Sequence, residues 1–187
     1  MSANLIEVLK QIPDDRCRAG RRYPLWLVLL LVVMATVSGC QGYKALEEFG
    51  QRHSQAVNQL LGLSLKRLPS DTTFRRLLQR MDFEQLSQSF NRWARDYLQV
   101  TPATGLAMDG KSIKGTVSNY GNAYQNFVNI VSIYSQQQGG VVALQAFENK
   151  HSSEIDVVLK LLTLLHLEGM IVSLDALHCQ KKLCRQL

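Results

Sequence analysis

Cysteines at metal-binding spacing are missing from this sequence. Cys17, Cys40, Cys179 and Cys184 form no C-x-x-C pair and have no interleaved histidines, which argues against a structural zinc site and fits reduced thiols in a cytosol. His53, His151, His166 and His178 are scattered, and only His178 falls near residues with a chemical role proposed below. Between Tyr23 and Tyr43 there is no charged residue at all. What is present is ordinary: 46% hydrophobic and 19% charged residues, in a chain of 187, exclude wholesale disorder and leave room for one large domain or two small ones.

The net charge of +6 is unevenly spread. Residues 1–101 hold 14 Lys/Arg against 9 Asp/Glu, and the remainder holds 7 against 6. An excess confined to the first half favours phosphate backbones or anionic surfaces there, without any sequence preference.

The uncharged stretch has two readings. Arg21 and Arg22 before it and Val37-Ser38-Gly39-Cys40 after it resemble a bacterial lipoprotein signal, which would give a membrane-anchored product through residues 24–40. Against this, the leader is long and carries Glu7, Asp14 and Asp15, and Pro24 to Cys40 would span only about 25 Å as a helix, the lower limit for a bilayer. A buried helix opening at Pro24 and stopping at Gly39 or Gly42 explains the same residues, and membrane association is the less favoured reading.

The pattern stays helical to about Thr101. Helices are expected at Gly42–Arg52, then a short one with Val57, Leu60 and Leu61 closed by Gly62. Another starts at Pro69-Ser70-Asp71, with Phe74, Leu77, Leu78 and Met81 on one face. Arg75, Arg76 and Arg80 occupy its other face, placed either to meet DNA phosphates or simply to be solvated. A last helix from Asp82 carries the stripe Phe83, Leu86, Phe90, Trp93, Tyr97, read as core.

At Thr101-Pro102 the periodicity changes from helical to alternating, which sets domains at 1–101 and 102–187. Strands are expected at Leu106–Asp109, Phe127–Tyr134, Val141–Phe147 and Met170–Leu174, with a helix between the last two from Ser152 or Ser153 to Gly169. The first and last strands each end on an acid, Asp109 and Asp175. A helical crossover allows those strands to lie parallel, about 4.8 Å apart, with both carboxylates at one edge. Two ionised carboxylates so close call for a cation, and Mg²⁺ or Mn²⁺ is the expected occupant. The plainer reading is that Asp109-Gly110 is a hairpin turn and Asp175 a helix cap.

The segment Ala107-Met108-Asp109-Gly110-Lys111-Ser112-Ile113-Lys114-Gly115 resembles the first catalytic motif of bacterial insertion-sequence transposases of the DDE class, in the group related to the H-repeat-associated proteins. Glu148–Ile155, Ile171–Lys182, Arg21-Arg22-Tyr23-Pro24, Gly42-Tyr43-Lys44-Ala45 and Leu68–Arg76 agree with it, so the likeness covers nearly the whole chain. The resemblance implies an α+β protein, with an all-helical N-terminal domain followed by a ribonuclease-H-like α/β domain in the order β-β-β-α-β. It implies a cytoplasmic DNA transposase that cleaves transposon ends and transfers strands with a pair of Mg²⁺ or Mn²⁺ ions on Asp109 and Asp175. It also suits Lys111 and Lys114 to DNA phosphate, and it makes a homo-oligomer or an intact transposase a partner. The departure is the third acid: none of the 12 residues after Asp175 is Asp or Glu. The expectation is therefore a truncated, inactive copy, with a DNA-binding regulator of transposition as the alternative.

Overall fold

The structure, a computed structural model, describes residues 4–98, 105–118, 126–148, 154–165 and 171–174. Packing divides the chain between Asp82 and Phe83 into a helical unit and a sheet unit.

The helical unit begins with α1 (Leu5–Lys10), whose first turn is capped by the Asn4 side chain accepting from the Ile6 amide at 3.0 Å. The stretch before α2 is tied by arginine. The Arg16 guanidinium grips the Asp14 carboxylate at 2.7 and 2.8 Å and donates to the carbonyls of Gly20 and Tyr23. That grip, first through the side-chain hydrogen bond from Arg16, holds the Asp14 carboxyl below its ordinary range. Arg21 donates to the carbonyls of Arg16 and Asp14, so both arginines are occupied in fixing the entry to the next helix.

α2 (Leu25–Val37) starts behind Pro24 and stops before Gly39, as the uncharged run predicts. Leu27, Val28, Leu29, Leu31 and Ala35 are buried, and α2 packs on α1 and on α3 (Tyr43–Arg52). Among the described residues, no helix is long and apolar enough to cross a membrane. α4 (Ser54–Leu61) ends on Gly62, whose φ of 63° is the left-handed conformation that glycine adopts without strain. Of the three apolar residues expected inward here, only Val57 is fully buried, and Leu60 is 80% exposed.

α5 (Asp71–Leu78) follows a loop held at several points. Asn58 clamps Leu65, its amide donating to the carbonyl and its carbonyl accepting the backbone N–H, both at 3.0 Å. Leu68 is buried on Gly50 of α3, and the Tyr23 hydroxyl donates to its carbonyl at 3.3 Å. Although Ser70 occupies the N-cap position, the Asp71 amide is taken by the Glu47 carboxylate of α3 at 3.1 Å. Glu47→Ala will remove that cap and destabilise this unit by about 1 kcal/mol. Glu47→Gln, which keeps an acceptor, will recover most of the loss. Urea unfolding followed by Trp26 fluorescence checks this, and equal losses in both variants would mean that the cap is not the cause.

In the sheet unit, α6 (Phe83–Leu98) precedes β1 (Gly105–Ser118), β2 (Asn126–Ser135), β3 (Gly140–Glu148), α7 (Glu154–Leu165) and β4 (Ile171–Leu174). The sheet order is β3-β2-β1-β4, antiparallel except for the parallel pair β1–β4. Mixed helix and sheet agrees with the α+β class expected. Strand alternation sends Leu106, Met108, Val131, Ile133 and Ala143 to one face, where Val157, Val158, Leu161 and Leu162 of α7 complete a core.

α6 differs from expectation in which face it buries. Its fully buried positions are Ser87 and Ala94, whereas Phe83 and Tyr97 are about half exposed. Phe90, Trp93 and Tyr97 form a ladder of rings with centroids 5.8 and 5.4 Å apart, so the aromatic stripe is peripheral. Small side chains let the backbone of α6 come close to the outer strand β3. There Asn91 accepts the Leu144 N–H at 2.8 Å and donates to the Leu144 carbonyl at 2.9 Å. At the end of α6, Leu98 lies over Gly140, where a Cβ would come within 3.1 Å of it. These contacts join α6 to the sheet and put the packing boundary before it, ahead of the change in sequence pattern at Thr101-Pro102.

Candidate metal and nucleic-acid sites

Asp109 lies on β1, exposed, opposite Ser132 of β2. Alternation puts it on the face away from α7, together with Ala107 and Lys111. The strand does not end on this acid: β1 continues as an extended ribbon to Ser118, with Gly110 opposite Val131. A hairpin turn at Asp109-Gly110 is thereby excluded, because β2 pairs along both sides of it. Among the described residues, the pairing with β4 reaches the residue just before Asp109. That parallel ladder runs from Gly105↔Ile171 to Met108↔Leu174, and Asp109 is the next residue on β1. The Ser173 hydroxyl donates to the Leu106 carbonyl at 3.1 Å, fastening the two strands near this end.

Asp175 lies outside the described residues, as do His178, the expected helix caps Ser152 and Ser153, and the Thr101-Pro102 junction. Among the described residues no group of three His, Cys, Asp or Glu stands close enough to hold a metal ion. Lys111 and Lys114 are both exposed on β1, an odd number of residues apart, and so alternate between its two sides.

In the helical unit, Arg75, Arg76 and Arg80 are all exposed, while Phe74 and Leu77 are buried toward the interior. α5 packs on α3. Among the described residues no ion pair or side-chain hydrogen bond engages these three arginines, in contrast with Arg16 and Arg21. The unit from Asn4 to Asp82 carries 12 Lys/Arg against 7 Asp/Glu. Sequence reading missed Glu47 and Asn58, the side chains that orient α5; each acts across at least seven residues of chain and leaves no local pattern.

Residues 6–94 match the family model described as DDE_Tnp_1-associated. The chain is 26% identical over 184 residues to "Putative transposase YncI" of Escherichia coli K12, covering 98% of this chain and 73% of that protein. It is 27% identical over 183 residues to "H repeat-associated putative transposase YbfD" of the same strain, covering 98% and 71%. It is 30% identical over 178 residues to "Uncharacterized protein in dhlA 3'region" of Xanthobacter autotrophicus, covering 94% and 59%. Across its curated relatives the chain spans between 46% and 73% of their length. No solved structure matches it. Residues 6–94 thus match the DDE_Tnp_1-associated model, and over nearly its whole length the chain is similar to putative transposases, H-repeat-associated ones among them.

Proposed function

We propose that the chain is the DNA-binding part and the first portion of the catalytic domain of a DDE transposase, an enzyme of metal-dependent phosphodiester cleavage and strand transfer. The observation that carries this reading is the parallel register Met108↔Leu174, since Asp109 and Asp175 are the residues that directly follow that pair in sequence. The sheet order β3-β2-β1-β4, with α7 leading into β4, supports a ribonuclease-H-like domain. Asp109 is an exposed carboxylate on the residue after the last described pair, and hard oxygen donors of this kind fit Mg²⁺ or Mn²⁺. Asp109 and Asp175 would hold the ion, which when bound activates the attacking oxygen and stabilises the leaving one. Arg75, Arg76 and Arg80 bind the transposon-end duplex, with Lys111 and Lys114 as phosphate contacts.

Residues 4–82, with 12 Lys/Arg against 7 Asp/Glu, supply the excess positive charge for that contact. The unengaged arginines of α5 favour the second reading as well, a regulator that occupies those ends. The test uses the purified 187-residue chain and duplexes carrying the terminal repeats that flank its reading frame. Binding weakens with salt, and the double reversal Arg75→Glu, Arg76→Glu lowers both the affinity and the slope of log affinity against log salt. An unchanged slope would remove α5 from the interface. Strand transfer in Mg²⁺ or Mn²⁺ that survives Asp109→Asn would remove that acid from the proposed metal site.

A further inference from the structure

Positive charge on α5 accounts for DNA affinity but not for the residue types along its outer face. Thr72, Arg75, Arg76 and Gln79 recur at i, i+3, i+4 and i+7, and all four are exposed. This stripe lies opposite the buried Phe74 and Leu77. Gln79 sits at the C-cap with φ −68° and ψ −20°, so the stripe keeps helical geometry to its last member. The Gln79 side chain, like the two arginines, makes no hydrogen bond among the described residues, and the Thr72 hydroxyl meets only Ser70.

These residue types match base edges in the major groove: arginine pairs with the N7 and O6 of guanine, glutamine with the N7 and N6 of adenine, and threonine with either acceptors or the thymine methyl. A helix of eight residues is about 12 Å long, and the major groove is about 12 Å wide. No acid stands within the stripe; the adjacent Asp71 is half buried, with its carboxylate on the Thr72 amide. Reading bases also demands a fixed helix, because one base step is only about 3.4 Å. The Glu47 cap, the Tyr23 and Asn58 bonds and the seat of Leu68 on Gly50 provide that fixity for a helix of barely two turns.

We infer that α5 enters the major groove of duplex DNA and that Thr72, Arg75, Arg76 and Gln79 read base edges there, giving the chain sequence preference in addition to affinity. This rests on the DNA-binding reading above and deepens it. The full chain is equilibrated with a random-sequence duplex pool, and the bound fraction is sequenced. Wild type enriches a short motif containing guanine. Thr72→Ala and Gln79→Ala, both at exposed positions that leave the core intact, each lose the preference at one base position and unfold at the wild-type urea concentration. Replacing guanine by 7-deazaguanine in the enriched duplex weakens binding about tenfold, since it removes the groove acceptor. Salt-dependent binding with no enriched motif, or a motif unchanged in both variants, overturns this inference and leaves α5 a phosphate contact. Absence of binding to any duplex at low salt overturns it together with the DNA-binding function.

Discussion

Truncating Phe74 to alanine will destabilise the helical unit by about 3 to 5 kcal/mol, a large share of what a domain of this size possesses. Phe74 is 0% exposed and is the bulkiest fully buried side chain in the molecule's described part. Its loss removes the transfer free energy of a ring and leaves a void that a helix of eight residues, held at its N-terminus by Glu47, has little freedom to fill. Phe74→Leu keeps most of the volume and will cost much less. The two tryptophans allow the effect to be localised, since Trp26 belongs to the helical unit and Trp93 to the sheet unit. In a Trp93→Phe background, urea unfolding followed by Trp26 emission should show a lowered midpoint for Phe74→Ala at unchanged slope. A loss below about 1 kcal/mol would mean that the packing around Phe74 is loose. DNA affinity should fall too, although Phe74 touches no DNA, because the face carrying Arg75 and Arg76 is only as well placed as the helix beneath it.

Asn91→Leu will have the second largest effect, about 2 to 4 kcal/mol, and it will act on the sheet unit. The leucine leaves both the N–H and the carbonyl of Leu144 without the partner they now have at 2.8 and 2.9 Å. Each unpaired, partly buried group costs about 1 to 3 kcal/mol. Asn91→Asp is the informative companion. Its carboxylate still accepts the N–H but faces the Leu144 carbonyl with no donor, so it should be destabilised as well, and more at neutral pH than in acid, where a protonated carboxyl regains a donor. Trp93 emission reports the unfolding and light scattering reports association. If Asn91→Leu unfolds at the wild-type urea concentration, the clamp contributes nothing to stability.

Much of this architecture can be read from the chain. The uncharged run between Tyr23 and Tyr43 becomes α2 because Pro24 and Gly39 bound it, and the alternation from Leu106 onward becomes β1. The outer face of α5, with its arginines, was likewise set by helical spacing. The full length of β1 was not readable: Lys111 to Ser118 is polar and rich in turn-forming residues, and β2 pairs with it at Lys111–Ile113 and again at Ser118. The buried face of α6 was misread for a related reason. Hydrophobicity pointed to Phe90, Trp93 and Tyr97, but the decisive partner was the backbone edge of β3, which calls for Ser87, Asn91 and Ala94 to come close. For the candidate metal site, Asp109, its strand and the parallel neighbour that a helical crossover allows were all legible, and β1 pairs with β4 in that way.

The Asn91 clamp also acts on the β3 edge of the sheet. A single side chain stands in for a neighbouring strand at Leu144, so a passing extended peptide meets no free ladder at that point of β3. Pairing by another strand, within one polypeptide or between molecules, is thereby blocked at Leu144 on the β3 edge.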